Sequence, residues 1–99
     1  MSLDYKVSNG VLYVGISGRF DSSERVKFRE MNKLVEKDIH QIEFDLARVN
    51  FIDSSALGML LVMRDKLVGE KSAFKIKNAN NEVKNTLVMV KFDVIFELL

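Results

Sequence analysis

The sequence predicts a single α/β domain over residues 1–99, a mixed sheet of about five strands flanked by three or four helices. Three observations carry this. Asn9-Gly10 sits between two apolar runs, the strongest short hairpin signal. After it, strand-like and helix-like periods alternate to the end of the chain. Finally, 47% of the 99 residues are apolar, enough for one small core.

Tyr5-Lys6-Val7-Ser8 reads as the first strand and residues 11–16 as the second. A type I′ turn at Asn9-Gly10 makes them antiparallel. Gly18-Arg19-Phe20-Asp21 leads into a helix over residues 21–37. Asp21 is its cap, Glu24 completes a capping box, and Phe28, Met31 and Val35, with Leu34 beside them, recur at helical spacing. Ile42-Glu43-Phe44-Asp45-Leu46 alternates as a strand does, and residues 47–53 read as a short connection.

A second helix is expected over residues 54–68, with Leu57, Leu60, Leu61, Leu67 and Val68 as its core stripe and Gly69 just past its end. Residues 73–77 make a fourth strand with Phe74 and Ile76 on one face. Asn80 or Asn81 caps a third helix carrying Val83, Leu87 and Val90. Residues 92–96 read as the last strand, with Glu97-Leu98-Leu99 trailing it. Strands separated by helices pair in parallel through right-handed crossovers.

Composition narrows the function. Net charge is +1, and basic residues are interleaved with acids, as in Glu24-Arg25-Val26-Lys27-Phe28-Arg29-Glu30. A nucleic-acid binder concentrates basic charge on one face, so no direct nucleic-acid contact is expected. With no cysteine there is no disulfide and no thiolate chemistry. Residues 56–63 form the longest apolar stretch, too short to span a membrane, and the start of the chain lacks the pattern of a secretion signal. No membrane insertion and a cytoplasmic location are expected.

No Gly-x-Ser-x-Gly, no phosphate-binding loop and no histidine pair is present, and His40 is the only histidine. Asp45 and Asp53 bracket a loop, but one points outward from a strand and the other reads as a cap. No catalytic residue, metal or cofactor is expected, and the chain reads as a non-enzyme.

The informative segment is Val49-Asn50-Phe51-Ile52-Asp53-Ser54-Ser55-Ala56-Leu57-Gly58. Aspartate and serine here are preferred helix caps, which accounts for them structurally. A helix start also presents free N–H groups and partial positive charge, so a phosphate on a first-turn serine is tolerated there. The two readings are compatible. The second helix is apolar nearly all round in its first turns, so besides its core stripe it offers Ala56, Met59, Val62 and Met63 to a neighbouring helix or a partner.

Phe51-Ile52-Asp53-Ser54-Ser55-Ala56-Leu57-Gly58 resembles the signature of STAS domains in bacterial anti-sigma factor antagonists, and Gly18-Arg19-Phe20-Asp21 resembles the segment before that family's first helix. The resemblance implies a partner switch. A serine kinase of the histidine-kinase-like ATPase fold, itself the anti-sigma factor, binds the unmodified domain and phosphorylates the serine corresponding to Ser55. The modified domain is released, and a PP2C-type phosphatase resets it. Asp21 and Asp53 match the family's acidic positions beside that serine. They are expected, with Ser54, Ala56, Met59 and Met63, to form the partner-binding surface. Motif alignment selects Ser55 over Ser54, and Ser54 could equally be a hydroxyl cap. Many members carry glycine at the position of Ala56; alanine stiffens the first turn. The same family includes regulators of targets other than sigma factors and cytosolic subunits of membrane transport complexes, and either is an alternative for this chain.

Overall fold

The structure, a computed structural model, describes residues 3–35, 38–67 and 69–99. Five strands lie in the order of the chain: β1 (Leu3–Ser8), β2 (Val11–Phe20), β3 (Gln41–Ile52), β4 (Phe74–Lys77) and β5 (Glu97–Leu98). β1 pairs with β2 antiparallel, and the other three pairings are parallel. The helices are α1 (Arg25–Val35), α2 (Ser54–Asp65), α3 (Asn81–Met89) and α4 (Phe92–Ile95), with 3₁₀ turns at Ser22–Glu24 and Lys71–Ala73. This is the mixed α/β sheet the sequence predicts.

The hairpin forms for the expected reason. Asn9 and Gly10 both have positive φ, +51° and +77°. Gly10 is doubly constrained, because a Cβ there would lie 2.5 Å from the His40 ring. His40 is exposed, and its Nε2 lies 3.1 Å from the Asn9 carbonyl oxygen.

One face of the sheet is apolar and buried: Leu12, Val14 and Ile16 on β2, Ile42, Phe44 and Leu46 on β3, Phe74 and Ile76 on β4. Phe28, Met31 and Val35 of α1 pack into the same core. A chain of phenylalanine rings crosses it, Phe20–Phe28–Phe44–Phe96–Phe74, with centroids 5.5 to 6.4 Å apart. The opposite face, with Tyr13, Gly15, Glu43, Asp45, Lys75 and Lys77, remains half-buried or exposed. There Glu43 accepts from Lys77 at 3.0 Å.

Four expectations need correcting. First, β3 runs through residues 47–52, which were expected as a connection. Its register with β2 jumps from Gly15↔Asp45 to Ser17↔Arg48, so β3 holds an extra residue there. Ala47 and Arg48 are both exposed, and the alternation that marks a strand is lost at that step.

Second, residues 92–95 form α4, and the strand is Glu97–Leu98. Buried Phe92 and Phe96 fit period two or period four equally well. The Arg64 Nε–H donates to the Ile95 carbonyl at 3.0 Å and ties α4 to α2.

Third, the core stripe of α2 is Ala56, Met59, Leu60 and Met63, while Leu61 and Val62 are exposed and Leu57 and Leu67 are only partly buried. Ala56 and Met63 are fully buried and cannot form a partner surface. The helix is apolar on nearly every side in its first turns, so its composition does not fix its rotation; the junction with β3 does. Fourth, α3 ends at Met89, and Val90 is exposed. The expected helix residues Lys37 and Val68 lie outside the described residues.

The phase of α2 is open to a direct check. Leu60→Ala should cost about 2–5 kcal/mol, the loss for a fully buried leucine. Leu61→Ala should cost less than about 0.5 kcal/mol, because its side chain is 38% exposed. Urea unfolding of the two variants beside the parent measures both.

Candidate functional site at the β2–α1 and β3–α2 junctions

β2 and β3 are parallel neighbours and end in register at Phe20↔Ile52. The next residues are Asp21 and Asp53. The sheet therefore sets the two aspartates side by side at one end of the molecule, each at the start of a helix. Both are extended in backbone and both act as caps. Asp53 Oδ1 accepts from the Ala56 N–H at 3.0 Å. Asp21 Oδ1 accepts from the Ser23 hydroxyl at 2.6 Å and the Ser23 N–H at 3.0 Å. These two bonds, the hydroxyl's first, hold the Asp21 carboxyl below its ordinary value of 3.8.

Sequence reasoning missed two residues of this site. Arg19 and Phe51 are register partners, and the Arg19 guanidinium lies 3.8 Å from the centroid of the Phe51 ring. Arg19 also reaches Asp21 Oδ2 at 3.4 Å. Arg19, Phe51 and Asp21 thus form a contiguous surface beside the start of α2, with Phe51 an exposed aromatic. The signal was present in the sequence, since Phe51 precedes the Asp-Ser-Ser run, but only the β3 extension shows which way it faces.

Ser54 and Ser55 occupy the first turn of α2. Ser54 is exposed and Ser55 is half-buried. Asp53 is the cap, so the capping role considered for Ser54 falls to its neighbour. Ser55 faces a groove of about 470 Å³ between α1 and α2, lined by Arg25, Phe28, Arg29 and Asn32 on one side and Ser55, Gly58, Met59 and Val62 on the other. Met59, only 8% exposed, contributes to its floor. Of the residues expected to meet a partner, the structure brings together at the surface Asp21, Asp53 and Ser54, with Ser55 and Met59 at the groove.

Glu24 follows in the first helical segment and is nearly fully buried. Burial first, and the neighbouring Asp21 charge second, raise its carboxyl above the ordinary value of 4.5. Among the described residues no group of three or more histidine, aspartate or glutamate side chains could hold a metal ion, and no helix is long and apolar enough to cross a membrane.

Residues 2–99 match the model of the STAS domain. The chain belongs to the STAS domain family. A STAS-domain containing protein of Pseudomonas aeruginosa (strain UCBPP-PA14) is 34% identical over 87 residues, covering 88% of this chain and 86% of that protein. The fold matches the anti-sigma factor antagonist SpoIIAA in its unphosphorylated form at TM-score 0.77 and 16% identity, over 98% of this chain and 86% of that one. It matches the phosphorylated form of the Bacillus cell fate determinant SpoIIAA at TM-score 0.75 and 14% identity, over 98% and 90%. An anti-sigma factor antagonist of Mycobacterium paratuberculosis gives TM-score 0.79 at 22% identity, over 97% and 82%.

Two substitutions separate the structural contributions of these groups. Asp53→Ala removes a cap and should cost about 1 kcal/mol, within roughly 0.5–2, read from the urea midpoint. Glu24→Gln tests the buried carboxyl. A carboxyl whose value is raised by folding favours the folded state when protonated, below its unfolded value of 4.5, and that contribution is lost as pH rises through the folded value. Glu24→Gln should therefore melt higher than the parent at about pH 7, with the difference vanishing below about pH 4.

Proposed function

We propose that this chain is a phosphorylation-controlled protein-binding switch that acts in the cytoplasm and whose modified residue is Ser55. The observation that carries the reading is the position of Ser55, in the first turn of a helix whose cap, Asp53, stands beside Asp21 at the end of the paired strands. Neither serine hydroxyl is engaged by another described residue, so both are available to a kinase. Exposure alone favours Ser54, and the family motif favours Ser55.

The partner in this reading is a serine kinase of the histidine-kinase-like ATPase fold that doubles as an anti-sigma factor. It docks on the unmodified surface formed by Asp21, Asp53, Ser54, Arg19 and Phe51. The γ-phosphoryl of ATP passes to Ser55 Oγ. The new O–P bond forms as the bond to ADP breaks, and the hydroxyl proton leaves to a base on the kinase. A dianionic group then stands where the partner docked, and an uncompensated charge at the centre of an interface opposes binding. A PP2C-type phosphatase hydrolyses the ester and restores the binding state. The kinship of the fold to SpoIIAA, known in phosphorylated and unphosphorylated forms, supports this cycle.

The test is phosphopeptide mass spectrometry on the protein from its own cells, reading residues 49–64. Phosphate on Ser55 under at least one growth condition is the expected result. Full coverage with no modification under several conditions would overturn the switch and favour a permanently docked subunit of a larger complex. Ser55→Ala should keep the parent's melting temperature and the bound state. Ser55→Asp should weaken partner binding at least tenfold by calorimetry, a loss of about 1.4 kcal/mol.

A further inference from the structure

The groove between α1 and α2 has a chemistry that the switch does not by itself require. Among the described residues, the charged ones lining it are Arg25 and Arg29. Neither forms an ion pair with a described residue, although acidic side chains are nearly as numerous in this chain as basic ones, 14 against 15. Both guanidinium groups are therefore available to an anion.

Topology puts them on the right side of the molecule. β2, β3 and β4 are parallel, so α1 and α2 both cross back over the same sheet and run in the same direction. They also pack against each other. From the level strand ends at Phe20 and Ile52, Arg25 lies five residues on and Ser55 three, and both line the groove. Arg25 opens α1 and Ser55 lies in the first turn of α2. Arg29 is one turn further along the same face of α1 and lines the same groove.

At Gly58 the wall of the groove is open, and a Cβ there would meet nothing within 4 Å. A long side chain can pass over that point. Further in, Asn32 Oδ1 is buried without a hydrogen-bond donor, an acceptor within the same groove. An arginine that swings in from the rim finds room above Gly58 and a buried acceptor beyond it.

We infer that a phosphate on Ser55 is received within the molecule, by the Arg25 and Arg29 guanidinium groups across the α1–α2 groove. This rests on the reading of Ser55 as the modified residue. Guanidinium matches phosphate in both charge and fork geometry, and such pairs are short and directional. The modification then does more than place charge in an interface. It ties α1 to α2 and closes the groove, so a partner that reads the groove loses its contact surface as well as its electrostatic match.

The experiment uses the full chain with phosphoserine encoded at position 55, so that no kinase is needed. Phosphorus NMR follows the second ionisation of the phosphate, ordinarily near about 6. In the parent this value should lie at least roughly half a unit below that in the Arg25→Gln/Arg29→Gln variant, because nearby positive charge favours the dianion. Each single substitution should recover part of the difference. Both arginines are exposed, so the unmodified variants should melt with the parent. Equal values in the parent and the double variant would overturn the clamp, since any remaining shift would belong to the helix end alone. That result would leave the kinase reading intact, just as a failure to find phosphate in cells would leave the clamp measurement intact.

Discussion

The parallel pairing of β2 with β3 is the constraint on which the site depends. These strands run together to Phe20 and Ile52 and release their chains at the same level. Each chain must then start a helix at once, and each start leaves N–H groups that need an acceptor. Asp21 and Asp53 meet that need. The proximity of two carboxylates, a serine pair, an arginine and an exposed aromatic is therefore a result of strand register. A slip of one residue between β2 and β3 would separate the pairs and turn Phe51 and Arg19 to opposite faces. The register is anchored from below, because Phe20 is fully buried and stacks on Phe28, which stacks on Phe44.

Much of this was legible in the chain. Asn9-Gly10, the alternation in residues 42–46, the Asp21, Asp53 and Asn80 caps and the Phe74–Ile76 pair all acted as their local chemistry predicts. What escaped were features in which local pattern allows two answers. In β3 the extra residue near Ala47 breaks the alternation although the strand continues. Phe92 and Phe96 suit either period, and tertiary contact with Phe44 and Phe74 decides between them. In α2 Leu57, Leu61 and Leu67 compete with Ala56, Met59 and Met63 for the core, and the latter three join Leu60 in it.

The exchange on α2 changes what the site offers. With Ala56 and Met63 inside, the outward side shows Leu61 and Val62, while Gly58 and Ser55 border the groove. Asn80 acts at the other side of β3. Its Oδ1 accepts from the Val83 N–H at 2.9 Å, and its Nδ2 donates to the Val49 carbonyl at 3.1 Å. One side chain thus caps α3 and secures the strand extension that carries Phe51.

The order of the strands in the sheet equals their order in the chain. No strand has to insert between two that are already paired. The sheet can therefore grow from one edge outward, each new strand joining the last. Its first pairing, across the tight hairpin, closes a short loop, and every later one spans a single crossover. A chain emerging gradually from the ribosome can follow this course without undoing earlier pairings, and the two-residue strand Glu97–Leu98 joins last, on an edge already laid down by β4.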